Sequence, residues 1–419
     1  MTTLLAIGDM HLGRLPASLP EDLHSQQKAL GPETAWTRCV NEAINRQVDA
    51  VVLAGDLVEQ ARDFFVAYGQ LKEGLEKLAT AGIRSFAVAG NHDVHVLPRL
   101  AAELDHLTLL GEGGHWEMVE INDIELIGWS FPQAEVRQSP LIDFPSTRLE
   151  RVRIGLLHCD RDQSGSRHAP VSSADLEAAQ VSAWLLGHIH QPDGLRGDRP
   201  IGYLGSVSAL RASETGHRGP WLIKTDQGRV QAEQILLAPL RYETHTLDLT
   251  GLSCAEELGA RILECARSSL VRLTRGEHLP DALGLRLTLT GRSSISADLR
   301  KSAEELTTDA RSWTEAGVHC FIDKIDLALE PAIDLDQLAK QNDPCGLLAR
   351  RILALRSGRG EEHEHLISQA RERFDGVLET REFKGLNRSL RDSDLAPYLE
   401  RAALTSLAAL IDQSSRANR

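Results

Sequence analysis

Five short apolar runs recur in the first half of the chain, and polar residues follow each of them at once. Runs of about 4–8 apolar residues are typical of buried strands. Helix-like segments lie between the runs, and in Asp63–Ala81 the residues Phe64, Leu71, Leu75 and Leu78 recur at helical spacing. Strands that alternate with helices in this way predict an α/β domain. The five runs are Leu4–Ile7, Ala50–Ala54, Ser85–Ala89, Ile154–Leu157 and Ala183–Leu186.

The polar residues after these runs are of the types that bind divalent metal ions. In open α/β sheets the ligand crevice lies at the carboxyl ends of the strands, so we expect these side chains to converge there. Hard ions such as Mn²⁺ accept carboxylate and amide oxygens together with imidazole nitrogens. The candidate residues are Asp9, His11, Asp56, Asn91, His92, Asp93, His158, His188 and His190.

The number and order of these residues predict a site for two metal ions. One carboxylate must then bridge the ions and hold them roughly 3.5–4 Å apart. Asp56 is the candidate for this bridge, because it stands between the pairs Asp9/His11 and Asn91/His158 in the order of the ligands.

The apolar pattern divides the chain into four parts. We expect a catalytic domain at 1–240, a small α+β domain at 241–330, a linker rich in turn residues at 331–346 and a helical segment at 347–419. The expected helices are Thr34–Gln47, Asp63–Ala81, Ala255–Leu270, Ala297–Trp313, Leu347–Leu355, Leu366–Leu378 and Leu395–Ile411. The expected strands beyond the five runs are Glu117–Ile121, Glu125–Trp129, Trp221–Lys224, Arg229–Leu237, Tyr242–Leu249, Leu285–Leu289 and Cys320–Leu329.

Composition narrows the cellular setting. The 419 residues allow two or three domains at about 100–200 residues each. We expect a cytoplasmic protein with no membrane association, because the chain shows neither a signal-peptide pattern nor a run of roughly 18 apolar residues. Six scattered cysteines fit reduced thiols. The chain also lacks the P-loop motif, so it does not hydrolyse ATP by that route.

The motifs as a set resemble those of the calcineurin-like metallophosphoesterases. The stretches that carry the resemblance are Asp9-x-His11, Gly55-Asp56, Gly90-Asn91-His92-Asp93, His158 and Gly187-His188-x-His190. Within that superfamily the chain looks like the SbcD-type DNA repair nucleases, and most like their YhaO-like relatives. Asp56–Glu59, Tyr203–Ser206 and Glu214–Gly219 support this subgroup. The resemblance is specific over residues 1–240, looser over 241–330 and thin beyond.

The resemblance implies a four-layer αββα sandwich with a small α+β capping domain and a C-terminal helical segment. It implies two divalent ions, expected to be Mn²⁺. Asp9, His11, Asp56 and His190 would hold one ion. Asp56, Asn91, His158 and His188 would hold the other. His92 would be the catalytic histidine that binds no metal, and Asp93 would orient His92 or its loop.

Glu59 departs from the subgroup, which often has His or Asp three residues after the bridging carboxylate. A carboxylate cannot donate a proton to phosphate unless it is itself protonated. The substrate-positioning candidates are Glu59, which stands at this position, and His95, which lies three residues beyond His92 and could take over the role. For His95, a role at the surface or in the core is an equal alternative. Glu59 could also have a structural partner of its own, such as Arg62.

The expected function is that of a two-metal-dependent DNA phosphodiesterase, an exonuclease and possible endonuclease. It would be the nuclease subunit of an SMC-like coiled-coil ATPase complex in DNA repair, and a homodimer is implied as an option. One alternative is a catalytically weak regulatory scaffold of such an ATPase. The other is a phosphatase or phosphodiesterase for small substrates. Against a protein phosphatase, the stretch after Asp56 lacks the Arg with which those enzymes bind phosphate.

Charge and the chain's last helix bear on the partners. The net charge of −14 predicts weak DNA binding by the chain alone, because DNA affinity comes mainly from basic residues on phosphates. The residues from about 347 onward are expected to dock the ATPase. The apolar stripe of the last helix could serve this purpose or could pack on the chain's own body. The stripe comprises Leu395, Leu399, Ala402, Leu407, Leu410 and Ile411.

Overall fold

The computed structural model describes residues 1–145, 151–273, 278–308, 312–378, 380 and 391–417. The chain divides into two compact units. The first comprises residues 1–245, 262–287 and 306–325, and the second comprises 246–261, 288–305 and 326–419.

Strands and helices occupy most of the described residues. The strands are β1 (Thr2–Ile7), β2 (Ala50–Leu53), β3 (Arg84–Ala87), β4 (Leu107–Leu109), β5 (Trp116–Ile121), β6 (Ile124–Trp129), β7 (Val152–His158), β8 (Ala183–Gly187), β9 (Ile201–Tyr203), β10 (Trp221–Asp226), β11 (Arg229–Gln234), β12 (Leu240–Asp248), β13 (Ala282–Ser293), β14 (Trp313–Glu315) and β15 (Val318–Pro331). The helices are α1 (Pro32–Asn45), α2 (Phe64–Thr80), α3 (Leu97–Glu103), α4 (Ser173–Ala178), α5 (Glu257–Leu273), α6 (Ser296–Thr308), α7 (Leu335–Leu338), α8 (Pro344–Ser357), α9 (Glu361–Leu378) and α10 (Asp392–Ala417).

Two sheets form the body of the first unit. The six-stranded sheet has the order β11-β10-β1-β2-β3-β4, and β1 to β4 run parallel. The five-stranded sheet has the order β5-β6-β7-β8-β9, and β6 to β9 run parallel. All five apolar runs of the sequence are strands of these sheets. Both predicted hairpins, β5–β6 and β10–β11, also form.

The sheets pack face to face because alternate residues of each strand point to opposite sides. Leu4 and Ala6 of β1 share an apolar core with Leu156 of β7 and Leu185 of β8. Leu5 and the other outward residues of the six-stranded sheet pack on α1 and α2. On the far face of the five-stranded sheet lies a third core, which includes residues of β7, β8 and α4. The α/β fold with four layers is thus confirmed for the first unit.

The β-α-β-α-β order expected for 241–330 appears as a four-stranded sheet of order β12-β13-β15-β14 with α5 and α6. The predicted helix Ala297–Trp313 is too long. Helix α6 ends at Thr308, and Trp313 begins the short strand β14, which pairs antiparallel with β15. An aromatic residue such as Trp313 favours a strand over a helix, and helical spacing alone did not resolve this boundary.

Helices α7 to α10 belong to the second unit. Leu407 of α10 is fully buried in a cluster with Ala349 and Ile352 of α8, and Leu395 packs with Ile367 of α9. Of the predicted apolar stripe of α10, Leu395 and Leu407 are buried and Leu399, Leu410 and Ile411 are partly buried against neighbouring helices of the same unit, as the own-body alternative expected, whereas Ala402 is exposed. Within the range predicted as a linker, α7 contributes the buried side chain of Leu335 to this core.

Among the described residues, no helix combines the length and the apolar character that crossing a bilayer requires.

Candidate metal centre

The predicted ligands lie where the parallel strands end. His158 is the last residue of β7, and the others follow β1, β2, β3 and β8 by one to four residues. Four of them have positive φ angles, which L-residues rarely adopt: Asp9 (24°), His11 (52°), Asp56 (49°) and His188 (103°). Strained backbone of this kind persists only where the surrounding structure holds it, and it is concentrated at functional sites.

Two glycines allow the strand-end loops to approach one another. A Cβ on Gly90 would lie 2.2 Å from Oδ1 of Asp56, and a Cβ on Gly55 would lie 2.6 Å from Nδ1 of His158. Gly55 also has a φ of +87°, a value that glycine adopts without a steric penalty. The Gly-Asp and Gly-Asn pairs are therefore required by close packing around the ligands.

Asp9, His11 and His190 form what we call the first ligand group. Their potential ligand atoms lie within 4.8 Å of one another. Nε2 of His11 lies 3.0 Å from Nε2 of His190. Oδ1 of Asp9 accepts a hydrogen bond from the backbone N–H of His188 at 2.8 Å, while Oδ2 is buried and has no hydrogen-bond partner. An unsatisfied buried carboxylate oxygen beside two ring nitrogens is an arrangement that a cation would stabilise.

Asn91, His158 and His188 form the second ligand group. Oδ1 of Asn91 lies 3.1 Å from Nε2 of His158 and 3.1 Å from Nδ1 of His188. The two ring nitrogens are 3.3 Å apart. One amide oxygen and two imidazole nitrogens converge here, which suits a hard or borderline divalent ion.

Asp56 lies between the two groups. Its Oδ2 is 3.9 Å from Nε2 of His11 and 3.3 Å from Nε2 of His158. Its Oδ1 accepts a hydrogen bond from the backbone N–H of His92 at 2.9 Å, which fixes the carboxylate. The geometry therefore leaves Oδ2 directed toward both groups, as a bridging ligand requires.

Each of the four histidines has its second ring nitrogen beside an acceptor outside the ligand group. Nδ1 of His158 donates to the carbonyl of Ala54 at 3.0 Å. A carbonyl can only accept, so the proton sits on Nδ1 and the lone pair of Nε2 faces the second group. The carboxylate of Glu214 accepts a hydrogen bond from His190 in the same way, and the outer nitrogens of His188 and His11 lie within ion-pair distance of carboxylates. These contacts are His190 Nδ1–Glu214 Oε1 (2.9 Å), His188 Nε2–Asp160 Oδ1 (3.1 Å) and His11 Nδ1–Glu59 Oε2 (2.7 Å).

Lone pairs directed at one another repel unless a cation lies between them, so the residues present fit metal binding. The electrostatics agree. Burial alone would lower the pKa of His158, but Asp56 and Asp9 raise it to about 9. For Asp56, burial would raise the pKa, and the rings of His158 and His11 hold it below its usual range. The buried carboxylate of Asp56 thus attracts positive charge.

His92 is exposed at the edge of the centre. Its ring lies edge-on to that of His11, with centroids 5.1 Å apart. Nδ1 of His92 lies 3.2 Å from the backbone carbonyl of Glu59. This contact places the proton on Nδ1 and leaves Nε2 as the nitrogen available to a bound molecule.

Asp93 is fully buried and joins two strand-end loops. Its carboxylate accepts hydrogen bonds from the backbone N–H groups of Leu57 (2.6 Å) and Gly90 (2.8 Å). Burial and the charge of Asp56 raise the pKa of Asp93 to about 7 despite these hydrogen bonds. Asp93 therefore holds the loop that carries His92.

The two substrate-positioning candidates differ in position. The carboxylate of Glu59 lies against His11 and, at 3.4 Å, Nη1 of Arg14. Arg62 instead lies 4.0 Å from Asp63. His95 is exposed, and it belongs to none of the potential ligand groups found among the described residues.

Sequence reasoning missed several residues at the centre. Glu214, the partner of His190, lies in a motif used only to assign the subgroup. Asp160 and His168 form a group with His188, and the rings of the two histidines are 4.9 Å apart. Asp160 follows His158 by two residues, which was an available signal. Nothing in the local sequence marks His168.

Comparison with known families agrees with this geometry. Residues 2–192 match the family described as calcineurin-like phosphoesterase. This range contains both ligand groups and Asp56. The chain contains a calcineurin-like metallophosphoesterase domain. Residues 242–330 match the family described as the middle domain of metallophosphoesterase YhaO, which supports the YhaO-like subgroup. Proteins with this phosphoesterase domain use a dimetal centre, and the two ligand groups fit one.

Three curated proteins are similar to this chain. "Uncharacterized metallophosphoesterase YhaO" of Bacillus subtilis is 24% identical over 277 residues, which cover 59% of this chain and 63% of that protein. "DNA double-strand break repair protein Mre11" of Haloferax volcanii is 26% identical, covering 63% and 58%. The protein of the same name from Methanosarcina mazei is 26% identical, covering 50% and 34%. The chain thus spans about three fifths or less of the length of these relatives.

Proposed function

We propose that this chain is a two-metal-dependent phosphodiesterase that cleaves DNA, as an exonuclease and possible endonuclease, in the cytoplasm. The observation that carries the proposal is the set of four histidines whose outer ring nitrogens lie beside acceptors. Their inner nitrogens converge with Asp9, Asn91 and Asp56. The DNA substrate is supported by the names of the two archaeal relatives, which describe double-strand break repair.

The first ligand group with Asp56 would hold one ion, and the second group with Asp56 the other. Mn²⁺ is the proposed metal, because oxygen and imidazole ligands without thiolates suit it. Bound divalent ions supply positive charge to the phosphate and lower the pKa of a water molecule.

The chain's own residues then orient and protonate the substrate. Nε2 of His92 is the free ring nitrogen at the rim, so it can donate a proton to the leaving sugar oxygen when the ring is charged. Asp93 is a positioning residue, because it fixes the loop that presents His92. The buried carboxylate of Asp56 is held by the His92 N–H, so the loop of His92 and the bridging position are mechanically linked.

An SMC-like ATPase is the proposed partner, in a DNA repair complex. The chain has a formal net charge of −14, and DNA affinity comes mainly from basic side chains on the phosphates. A partner would therefore supply much of the affinity for DNA. The helical segment from residue 347 is the proposed docking region. Leu347, Val377 and Tyr398 are the large apolar side chains that stay exposed on its described helices.

A nuclease assay on linear duplex DNA tests the proposal. The full-length chain should cleave with Mn²⁺, lose activity with a chelator, and cleave more when the ATPase is added. Absence of cleavage under every condition, together with normal Mn²⁺ binding, would favour a regulatory scaffold. Cleavage of a small phosphodiester but not of DNA would favour a small-molecule phosphodiesterase.

A further inference from the structure

Glu59 occupies a position from which one residue contacts both a candidate metal ligand and the candidate catalytic histidine. Oε2 of its side chain lies 2.7 Å from Nδ1 of His11. Its backbone carbonyl lies 3.2 Å from Nδ1 of His92. The side chain is mostly buried, with 17% of its surface exposed. These contacts occupy Oε2 of the carboxylate and the backbone carbonyl of the residue.

We propose that Glu59 is a positioning residue for the metal centre rather than a substrate contact. It would keep the proton of His11 on Nδ1 and so keep the lone pair of Nε2 directed at the first ligand group. The inference rests on the proposed metal centre and assigns one further residue to it.

The chemistry of His11 requires such a partner. Its Nε2 lies 3.0 Å from Nε2 of His190 and can serve as a ligand only when the proton is on Nδ1. His11 is only 1% exposed, so water cannot take the place of an acceptor at Nδ1. No hydrogen bond of good angular geometry reaches Nδ1, and the Glu59 carboxylate is within ion-pair distance of it. Loss of this carboxylate would leave the ring free to rotate or to change tautomer.

Arg14 holds the carboxylate in this position. Its Nη1 lies 3.4 Å from the same Oε2 that faces His11. The guanidinium therefore restrains the orientation of the carboxylate beside the ring of His11. A methyl group or a cationic side chain at 59 would lose both contacts.

The test is Mn²⁺ binding to the full-length protein, measured by calorimetry for Glu59→Ala, Glu59→Gln and Glu59→His. Substitution of a residue that orients a metal-bound histidine typically weakens binding about 10–100-fold. We expect this loss for one of the two ions in Glu59→Ala and Glu59→His. Glu59→Gln should lose less, because its amide oxygen can still accept from His11. The nitrogen NMR signal of the His11 ring should shift from the single Nδ1–H tautomer toward a mixture in Glu59→Ala.

Glu73→Gln is the matched control, because Glu73 is an exposed carboxylate that also pairs with one cation, Lys77, on α2. It should bind Mn²⁺ as the wild type does. Wild-type binding of two ions with unchanged affinity in all three Glu59 variants would overturn the inference and leave the proposed function intact. Wild-type binding of fewer than two ions would overturn the proposed centre and this inference with it. Retained or raised affinity in Glu59→His would also contradict the positioning role.

Discussion

The strand-end loops of the first unit and the helices α8 to α10 of the second unit were both marked by apolar patterns, but they use those patterns differently. In the loops, buried strands end in polar residues with positive φ angles and unsatisfied ligand atoms, such as Oδ2 of Asp9. In the helices, the apolar stripe apart from Ala402 is buried or partly buried against neighbouring helices. The first region keeps a strained backbone and a buried polar atom without a hydrogen-bond partner. In the second region, the apolar residues pack against one another.

This difference predicts that substitutions in the loops change metal binding and turnover, and that substitutions in the helices change stability alone. The largest effect is expected for Asp56→Asn. It removes the one carboxylate that faces both ligand groups, so activity should fall below detection and metal content below two ions per chain. Elemental analysis and a nuclease assay measure this. Asp123→Asn, a change of an exposed carboxylate, is the control. Two ions retained in Asp56→Asn would contradict the bridging role.

His92→Ala should give the next largest effect. The ring contacts the backbone of Glu59 and lies beside His11, but it stands outside both ligand groups. We expect both ions to remain and turnover to fall about 10²–10⁴-fold, the usual contribution of a general acid or base. Loss of an ion from His92→Ala would instead make His92 a ligand, a role that its proximity to His11 and Glu59 allows.

Glu214→Gln should have a smaller effect on the same region. Its Oε1 accepts from His190, and its Oε2 accepts from the backbone N–H of Leu210 at 2.9 Å. We expect Mn²⁺ affinity to fall about 10-fold, toward the low end of the range for such partners, because the amide keeps one acceptor. Calorimetry measures the affinity. Unchanged affinity with a lower melting temperature would show that Glu214 only supports the fold.

Leu407→Ala should have the smallest effect on the chemistry. Leu407 is fully buried, and such truncations typically cost about 2–5 kcal/mol of stability. We expect the helical segment to unfold at a lower temperature. Two ions should stay bound, and cleavage of a small phosphodiester substrate should be unchanged. Thermal denaturation and elemental analysis check this. A loss of metal would contradict the separation of the two regions.

The sequence was informative about the strands and ligands for a physical reason. Parallel strands buried on both faces are nearly continuous apolar runs, and loops at their ends must carry the ligands. Contacts between distant positions left no such pattern. Glu214 lies 24 residues from His190, and His168, whose ring contacts that of His188, is marked by nothing in the local sequence. The apolar spacing in α10 predicted a helix but not which surface covers its apolar face, because packing on the chain's own body and docking of a partner need the same face.

The central claim is a centre of two metal ions bridged by Asp56, and electron paramagnetic resonance of the Mn²⁺-loaded protein tests it most directly. The wild type should bind two ions per chain and give the spectrum of a spin-coupled pair. Asp56→Asn should bind fewer and show only the six-line signal of an isolated ion. Two uncoupled ions in the wild type, or the coupled spectrum retained in Asp56→Asn, would contradict the account.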